Sequence, residues 1–253
     1  MITLASDFGS PYPAAMKGVL LSKSSAQLVD IAHDFPRQDL RTGAFWLREV
    51  LPYFPAAVHL VVIDPGVGTD RRVLVVEAGE HRLVGPDNGI LVPVAEQLVE
   101  DPMYYATNPK NADSATFHGR DVFAPLAAKI HERGLQPVVE ADRFESVTPT
   151  ERIKFPDPDV QDQEAFGAVL VVDDFGNTIT NVPGSFLAGQ FGETILVDGR
   201  ETPVARTYAA VPPENRLVTV GSHGHVELAV NRGRGDESFG LAPGDTVYLA
   251  PVE

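Results

Sequence analysis

The sequence predicts an α/β fold in two parts. Residues 1–145 are expected to form an N-terminal α/β domain and residues 166–253 a small C-terminal β-barrel, with 146–165 as the linker. Three observations carry this expectation. In the first half, short apolar runs alternate with segments of helical periodicity. In the second half, short strand signals are separated by Gly and Pro turns, with no long helical pattern between them. Between the halves, Pro149, Pro156 and Pro158 stand among many charges and few large apolar side chains, which is the composition of a linker. The first domain therefore reads as a mostly parallel, Rossmann-like α/β sandwich.

Residues 2–5, 28–31 and 58–63 are apolar runs that end at an acidic or turn residue, as buried strands do. Between them, 14–23 and 39–51 space apolar side chains at helical intervals, and Asp39 stands where a helix cap belongs. Strand–helix–strand order calls for a sheet with helices on both faces. Residues 73–77 and 82–84 read as a hairpin. Residues 119–133 read as a helix whose Pro125 falls in the first turns, where proline is tolerated. Beyond the linker, 167–173, 194–197, 216–220 and 226–230 are the strand signals. No internal repeat or heptad pattern is present.

Apolar residues make up 43% of the 253, enough for a sizeable core, and 22 glycines with 21 prolines make the chain rich in turns. Thirty-five acids against 20 Lys and Arg give a formal net charge of −15. Nucleic-acid binders need basic clusters to displace counterions from phosphate, and none occurs here. The absence of cysteine excludes disulfides, thiolate catalysis, zinc ribbons and iron–sulfur clusters. Apolar runs fall far below the ~18–20 residues of a membrane helix. The N-terminal residues carry no basic region and include Asp7, unlike a signal peptide. A soluble, cytoplasmic protein with neither nucleic-acid nor membrane partners is expected.

Familiar motifs are missing: no Gly-x-Gly-x-x-Gly follows the first strand, and neither a phosphate-binding loop nor a Gly-x-Ser-x-Gly elbow occurs. What remains are polar residues where strands end: Asp7, Asp30, His33 and Asp64. Ligands of open parallel sheets bind beyond the carboxyl ends of the strands, so these acids mark a polar small-molecule site. Each alone could equally cap a helix or close a turn. The loop from Asp64 to Arg72, with Gly66 and Gly68 directly after a buried strand, weakens that plainer explanation. His118 lies in a glycine-containing turn before a helix. Metal binding by His33, His118, His223 and His225 is the rival explanation, but no His-Glu-x-x-His or comparable pair is present, so no metal is expected.

An ordered set of motifs then becomes specific. It comprises Ser6-Asp7-Phe8-Gly9, Met16-Lys17-Gly18, Asp64-Pro65-Gly66-Val67-Gly68-Thr69 with Arg71, Gly85-Pro86-Asp87-Asn88-Gly89, Thr116 to Asp121, and Asp173 to Asn177 with Asn181. Together they resemble the S-adenosyl-L-methionine hydroxide adenosyltransferase family, the adenosine-forming hydrolases related to the fluorinating and chlorinating enzymes. The resemblance spans nearly the whole chain. It implies hydrolysis of S-adenosyl-L-methionine, which is substrate and not cofactor, by a homotrimer with active sites between subunits. It places the family's catalytic set on Asp64, Arg71 and His118. Asp7 matches the aspartate that grips the ribose hydroxyls, Trp46 an aromatic wall of the ribose pocket, and Phe117 a further substrate-binding residue. Asn177 matches the adenine-reading amide, with Phe175 and Tyr208 as adenine-stacking rings. Asp173 matches the contact to the methionine ammonium and Ser222 a contact to its carboxylate.

One departure stands out. Between Gly9 and Met16 lie only six residues, where the family usually has a longer insert with an acid, which leaves this loop's contact to the methionine end and the strictness of methionine recognition open. Two alternatives remain open: a halogenase acting on the same substrate, and a non-catalytic binder of S-adenosylmethionine or adenosine. Against the first, Asp64 puts a negative charge where the halogenating relatives carry a neutral tyrosine. Against the second, binding alone would not require Asp64, Arg71 and His118 together.

Overall fold

In the computed structural model, which describes residues 1–109 and 114–252, the first apolar run becomes strand β1 (Ile2–Ser6), buried along its whole length. It leads through α1 (Tyr12–Lys23) to β2 (Leu28–Ala32), and through α2 (Leu40–Val50) to β3 (Val58–Val62). Next come β4 (Val73–Ala78), β5 (His81–Pro86), α3 (Val92–Leu98) and β6 (Met103–Thr107). A π-helical turn at Gly119–Phe123 runs into α4 (Ala124–Arg133), followed by α5 (Leu135–Asp142) and the two-residue β7 (Glu145–Ser146). Pro125 sits in the first turn of α4, as the sequence requires. Asp39 caps α2, its Oδ1 accepting from the Thr42 amide at 3.0 Å and its Oδ2 from the Thr42 hydroxyl at 2.7 Å.

These strands form one seven-stranded sheet in the order β2-β1-β3-β5-β4-β6-β7. The half from β2 to β5 is parallel. The β4–β5 hairpin reverses direction, and β6 and β7 continue antiparallel, so the whole sheet is mixed. One face is covered by α1, α4 and α5: Met16, Leu20, Phe123, Ile130 and Val138 pack on Ile2, Leu4, Leu60 and Val84. On the other, α2 and α3 pack together, with Gly43 of α2 lying directly against Ile63 and Ile90. Strand crowding explains one glycine: a Cβ on Gly85 would lie 2.6 Å from the Val61 carbonyl oxygen of the neighbouring strand.

The chain divides into two units, the first ending at Lys154 and the second beginning at Phe155. Within the first, Asp87 is buried and bonded by Arg72 and by both the amide and the hydroxyl of Thr150. The second unit contains β8 (Asp159–Val160), β9 (Ala165–Val172), β10 (Thr178–Pro183), β11 (Thr194–Val197) and β12 (Arg200–Pro203). Strands β13 (Arg216–Val220) and β14 (His225–Val230), the short helix α6 (Gly235–Phe239) and β15 (Thr246–Pro251) complete it. Its pairings are antiparallel in the order β12-β11-β15-β9-β10-β14-β13, with β8 added on β9. A bridge between Val204 and Val218 links the two ends, so the sheet curls into a nearly closed barrel around Val182, Leu187, Val197, Leu228 and Leu249.

Candidate active site

The parallel half of the first sheet delivers Asp7 and Asp64 just beyond the C-terminal ends of β1 and β3, where a ligand crevice is expected. Both line a cleft of about 570 Å³, together with Phe8, Tyr12, Gln38, Phe117 and His118. The aromatic wall is built edge to face: Phe117 meets Phe8 at 5.9 Å and Tyr12 at 5.5 Å between ring centroids. Residues 64–72 form a tight loop that returns Arg71 onto Asp64. Gly68 has φ +80°, and a Cβ there would meet the Ala115 carbonyl oxygen at 2.8 Å. The glycine signal in this loop thus reflects close packing on the chain itself.

Arg71 is the centre of the polar cluster. Its Nε donates to Asp64 Oδ1 at 2.9 Å and Oδ2 at 3.0 Å, and its Nη2 donates to Oδ2 as well. The same Nη2 donates to His118 Nδ1 at 2.9 Å. The Asp64 and Arg71 side chains are 4% and 9% exposed, so the pair sits largely out of water, with the guanidinium 4.8 Å from the Phe123 ring centre. Arginine has no acceptor atom, so His118 Nδ1 must be unprotonated and its proton must sit on Nε2. Burial, and then the Arg71 charge, hold the His118 pKa below the ordinary histidine value, against the opposing pull of Asp64 and Asp121. The imidazole is therefore neutral. Arg71 Nη1 is buried without a protein partner, an arrangement that costs free energy unless a bound oxygen completes it.

Asp7 is held by its surroundings too: its Oδ2 accepts from the Gln38 backbone amide at 2.7 Å. Gln38 adopts φ +62°, so a strained residue supplies this donor. Nothing in the sequence marked it. Trp46 lies on α2, edge-on to Phe45 at 5.0 Å, and is not among the residues lining this cleft.

The second unit gathers the other expected residues. Where β9 turns into β10, Asp173 Oδ1 accepts from the Asn177 amide at 2.8 Å, and its Oδ2 from Asn177 Nδ2 at 2.9 Å. Both side-chain N–H bonds of Asn177 have acceptors, the second being the Tyr208 hydroxyl at 3.5 Å, so its side chain can meet a further partner only as an acceptor, through the carbonyl oxygen. Phe175 is 79% exposed and Tyr208 42%, both uncommon for large rings. Ser222 is exposed in the turn between β13 and β14. The sequence reading missed Glu227, a buried acid on β14 that accepts from the Tyr208 hydroxyl at 2.5 Å. A single acid inside the apolar run His225–Val230 was the available signal. Burial, reinforced by nearby Asp173, raises the Glu227 pKa despite the Tyr208 bond. Among the described residues, no group of three or more His, Asp or Glu side chains is placed to hold a metal ion.

Comparison with known proteins places this arrangement. The model of the SAM hydroxide adenosyltransferase N-terminal domain matches residues 2–139, and that of the C-terminal domain residues 167–248. A protein named (R)-S-adenosyl-L-methionine hydrolase from Salinispora arenicola is 41% identical, covering 98% of this chain and 97% of its own. Another of that name from Thermus thermophilus is 40% identical over 96% of this chain and 97% of its own. The crystal structure of an uncharacterized conserved protein from Thermotoga maritima superposes with TM-score 0.86 at 31% identity, covering 99% of this chain and all of the other.

Proposed function

The chain belongs to the S-adenosyl-L-methionine hydroxide adenosyltransferase family, and from that premise we propose that it hydrolyses S-adenosyl-L-methionine to adenosine and L-methionine. The oxygen of water bonds to ribose C5′ as the C5′–S bond breaks, and the bonding pair returns to sulfur as a neutral thioether. This leaving group needs no general acid. The protein's task is to align an oxygen nucleophile opposite sulfur, which can remove ~7–11 kcal/mol of barrier. It must also stabilise the charge that forms as water, with a pKa near ~15.7 in bulk, loses its proton.

The observation that carries this reading is the Arg71 guanidinium, bonded at once to Asp64 and His118 while Nη1 stays unpaired. Nη1 donates to the water oxygen and stabilises developing hydroxide. The neutral His118 already accepts at Nδ1 and carries its proton on Nε2, so it orients Arg71 and acts as a donor. Asp64 then takes the proton and passes it to solvent. Asp7 accepts from the ribose hydroxyls, with Phe117 beside the sugar. Asn177 reads adenine between Phe175 and Tyr208, while Asp173 and Ser222 hold the ammonium and carboxylate of the methionine end.

We extend the proposal to the assembly: a homotrimer in which the C-terminal domain (166–253) of one subunit completes the site of the N-terminal domain (1–145) of its neighbour, with 146–165 as linker. A cysteine-free, acidic chain suits the cytoplasm. Because Arg71 supplies the positive charge, turnover should survive exhaustive chelation, and a requirement for one divalent ion would overturn that assignment. The deciding experiment incubates the pure protein with S-adenosyl-L-methionine in oxygen-labelled water and separates the products. Adenosine labelled at the 5′-hydroxyl is expected. A 5′-halogenated product, or unchanged substrate under conditions where it binds, would refute hydrolysis.

A further inference from the structure

We infer that His33 is a positioning residue for Asp7, acting through a directional chain of hydrogen bonds that fixes the turn after β1. The register of β1 on β2 shifts by one residue: Leu4 pairs with Asp30 but Ala5 with Ala32, so Ile31 is extra. That shift brings His33 level with Ser6. The Ser6 hydroxyl lies 2.8 Å from His33 Nδ1, and His33 Nε2 lies 3.1 Å from Asp30 Oδ1. Asp30 Oδ2 in turn accepts from Lys17 Nζ of α1 at 2.5 Å.

Each link has one polarity. A carboxylate only accepts, so Nε2 carries a proton, and in the neutral imidazole Nδ1 then accepts from the Ser6 hydroxyl. The backbone adds a second tie, the Gly9 amide donating to the His33 carbonyl at 2.8 Å. The two residues between Ser6 and Gly9 are Asp7 and Phe8, and both line the cleft. His33 therefore grips this turn on either side of Asp7, while Gln38 bonds the carboxylate directly. Composition alone suggests a Ser-His-Asp nucleophile. Ser6, however, is fully buried and bonded to Nδ1, which makes the set a brace and not a reacting group.

The inference rests on the reading of Asp7 as the ribose ligand, and the experiment separates the two. Inhibition by adenosine and by 2′,3′-dideoxyadenosine is measured for the wild type and for Asp7→Ala, His33→Ala, His33→Gln and Ser6→Ala. The ratio of the two inhibition constants reports only the grip on the hydroxyls. The wild type should favour adenosine at least tenfold, and Asp7→Ala should bring the ratio near one. His33→Ala should lower the ratio severalfold and raise KM for S-adenosylmethionine more than it lowers kcat. His33→Gln, which can accept from Ser6 and donate to Asp30, should recover most of the ratio. Ser6→Ala cuts the same link from a buried position, and should lower the ratio if His33→Ala fails to fold. If Asp7→Ala loses the discrimination while His33→Ala and Ser6→Ala keep it, His33 does not position Asp7. Should Asp7→Ala itself keep it, the ribose reading falls and the inference with it.

Discussion

A neutral His118 has a consequence for the pH dependence of turnover. Its pKa lies below the ordinary value, so the acceptor for Arg71 persists at neutral pH and is lost on acidification below the ordinary histidine value. The acid limb of kcat/KM should fall in that lower window, and His118→Asn, which cannot titrate, should shift or remove it. Asp64→Asn keeps the shape but not the base, and kcat should drop by roughly 10²–10⁴-fold with a smaller change in KM. A variant near full turnover would show that the proton goes elsewhere. Glu227 offers the opposite case. Its raised pKa means that the folded state favours the protonated acid, so its contribution to stability is complete at low pH and is lost as pH rises through the raised value. Glu227→Gln cannot ionise and still accepts from Tyr208. Its melting temperature relative to wild type should therefore rise from pH 4 to pH 7, and a constant difference would contradict the assignment.

At the scale of elements, apolar runs revealed β1 and β3, which are buried as expected, and the β4–β5 hairpin. By contrast, 28–31 forms a strand that is not buried, because β2 is the edge of the sheet and carries Asp30 exposed. Periodicity marked α2 because Asp39 caps an amphipathic stretch. The same signal fails for α3: Val92, Pro93, Val94 and Ala95 are buried in succession and the exposed Glu96 and Gln97 follow together, so seven residues show no helical alternation. β6 escaped notice since Met103-Tyr104-Tyr105 carries little alternation, and β15 because its strand residues sit among turn-forming neighbours. Within the site, motifs located the side chains that carry charge. They could not reveal Gln38, which serves through its backbone amide, or the one-residue shift that makes His33 useful. Cross-strand contacts also carry a stability prediction. Thr3 of β1, His59 of β3 and His81 of β5 form a chain at 2.8 and 2.9 Å, with the two rings stacked. Burial, and then the neighbouring His81, lower the His59 pKa to about 3, so stability should be lost as pH falls from the ordinary histidine value towards that figure. His59→Gln should flatten this slope in thermal unfolding measured from pH 7 to pH 4. Asp39→Ala, by contrast, should cost about 1 kcal/mol at neutral pH, since only a helix cap is lost.

Across the whole molecule, the residues assigned to one reaction fall into two sets. Asp7, Asp64, Arg71 and His118 belong to the unit that ends at Lys154, and Asp173, Asn177, Tyr208 and Ser222 to the unit that begins at Phe155. On the proposed roles a single substrate needs both sets, and the proposed trimer meets that need by pairing the first set of one subunit with the second set of the next. The alternative, in which each chain serves its own substrate, makes a different arithmetic prediction. Asp64→Ala and Asn177→Ala each damage one set, and each should be nearly inactive alone. If every site lies within one chain, then no mixture of the two variants contains an undamaged site. If sites are shared around a ring, an Asn177→Ala chain can lend its intact first set to the intact second set of an Asp64→Ala neighbour. Random assembly after joint unfolding and refolding then leaves about a quarter of all sites whole. Turnover recovered to that order, together with mixed trimers identified by mass, is the expected result. A monomer by light scattering, or mixed trimers without recovered activity, would mean that each chain completes its own site.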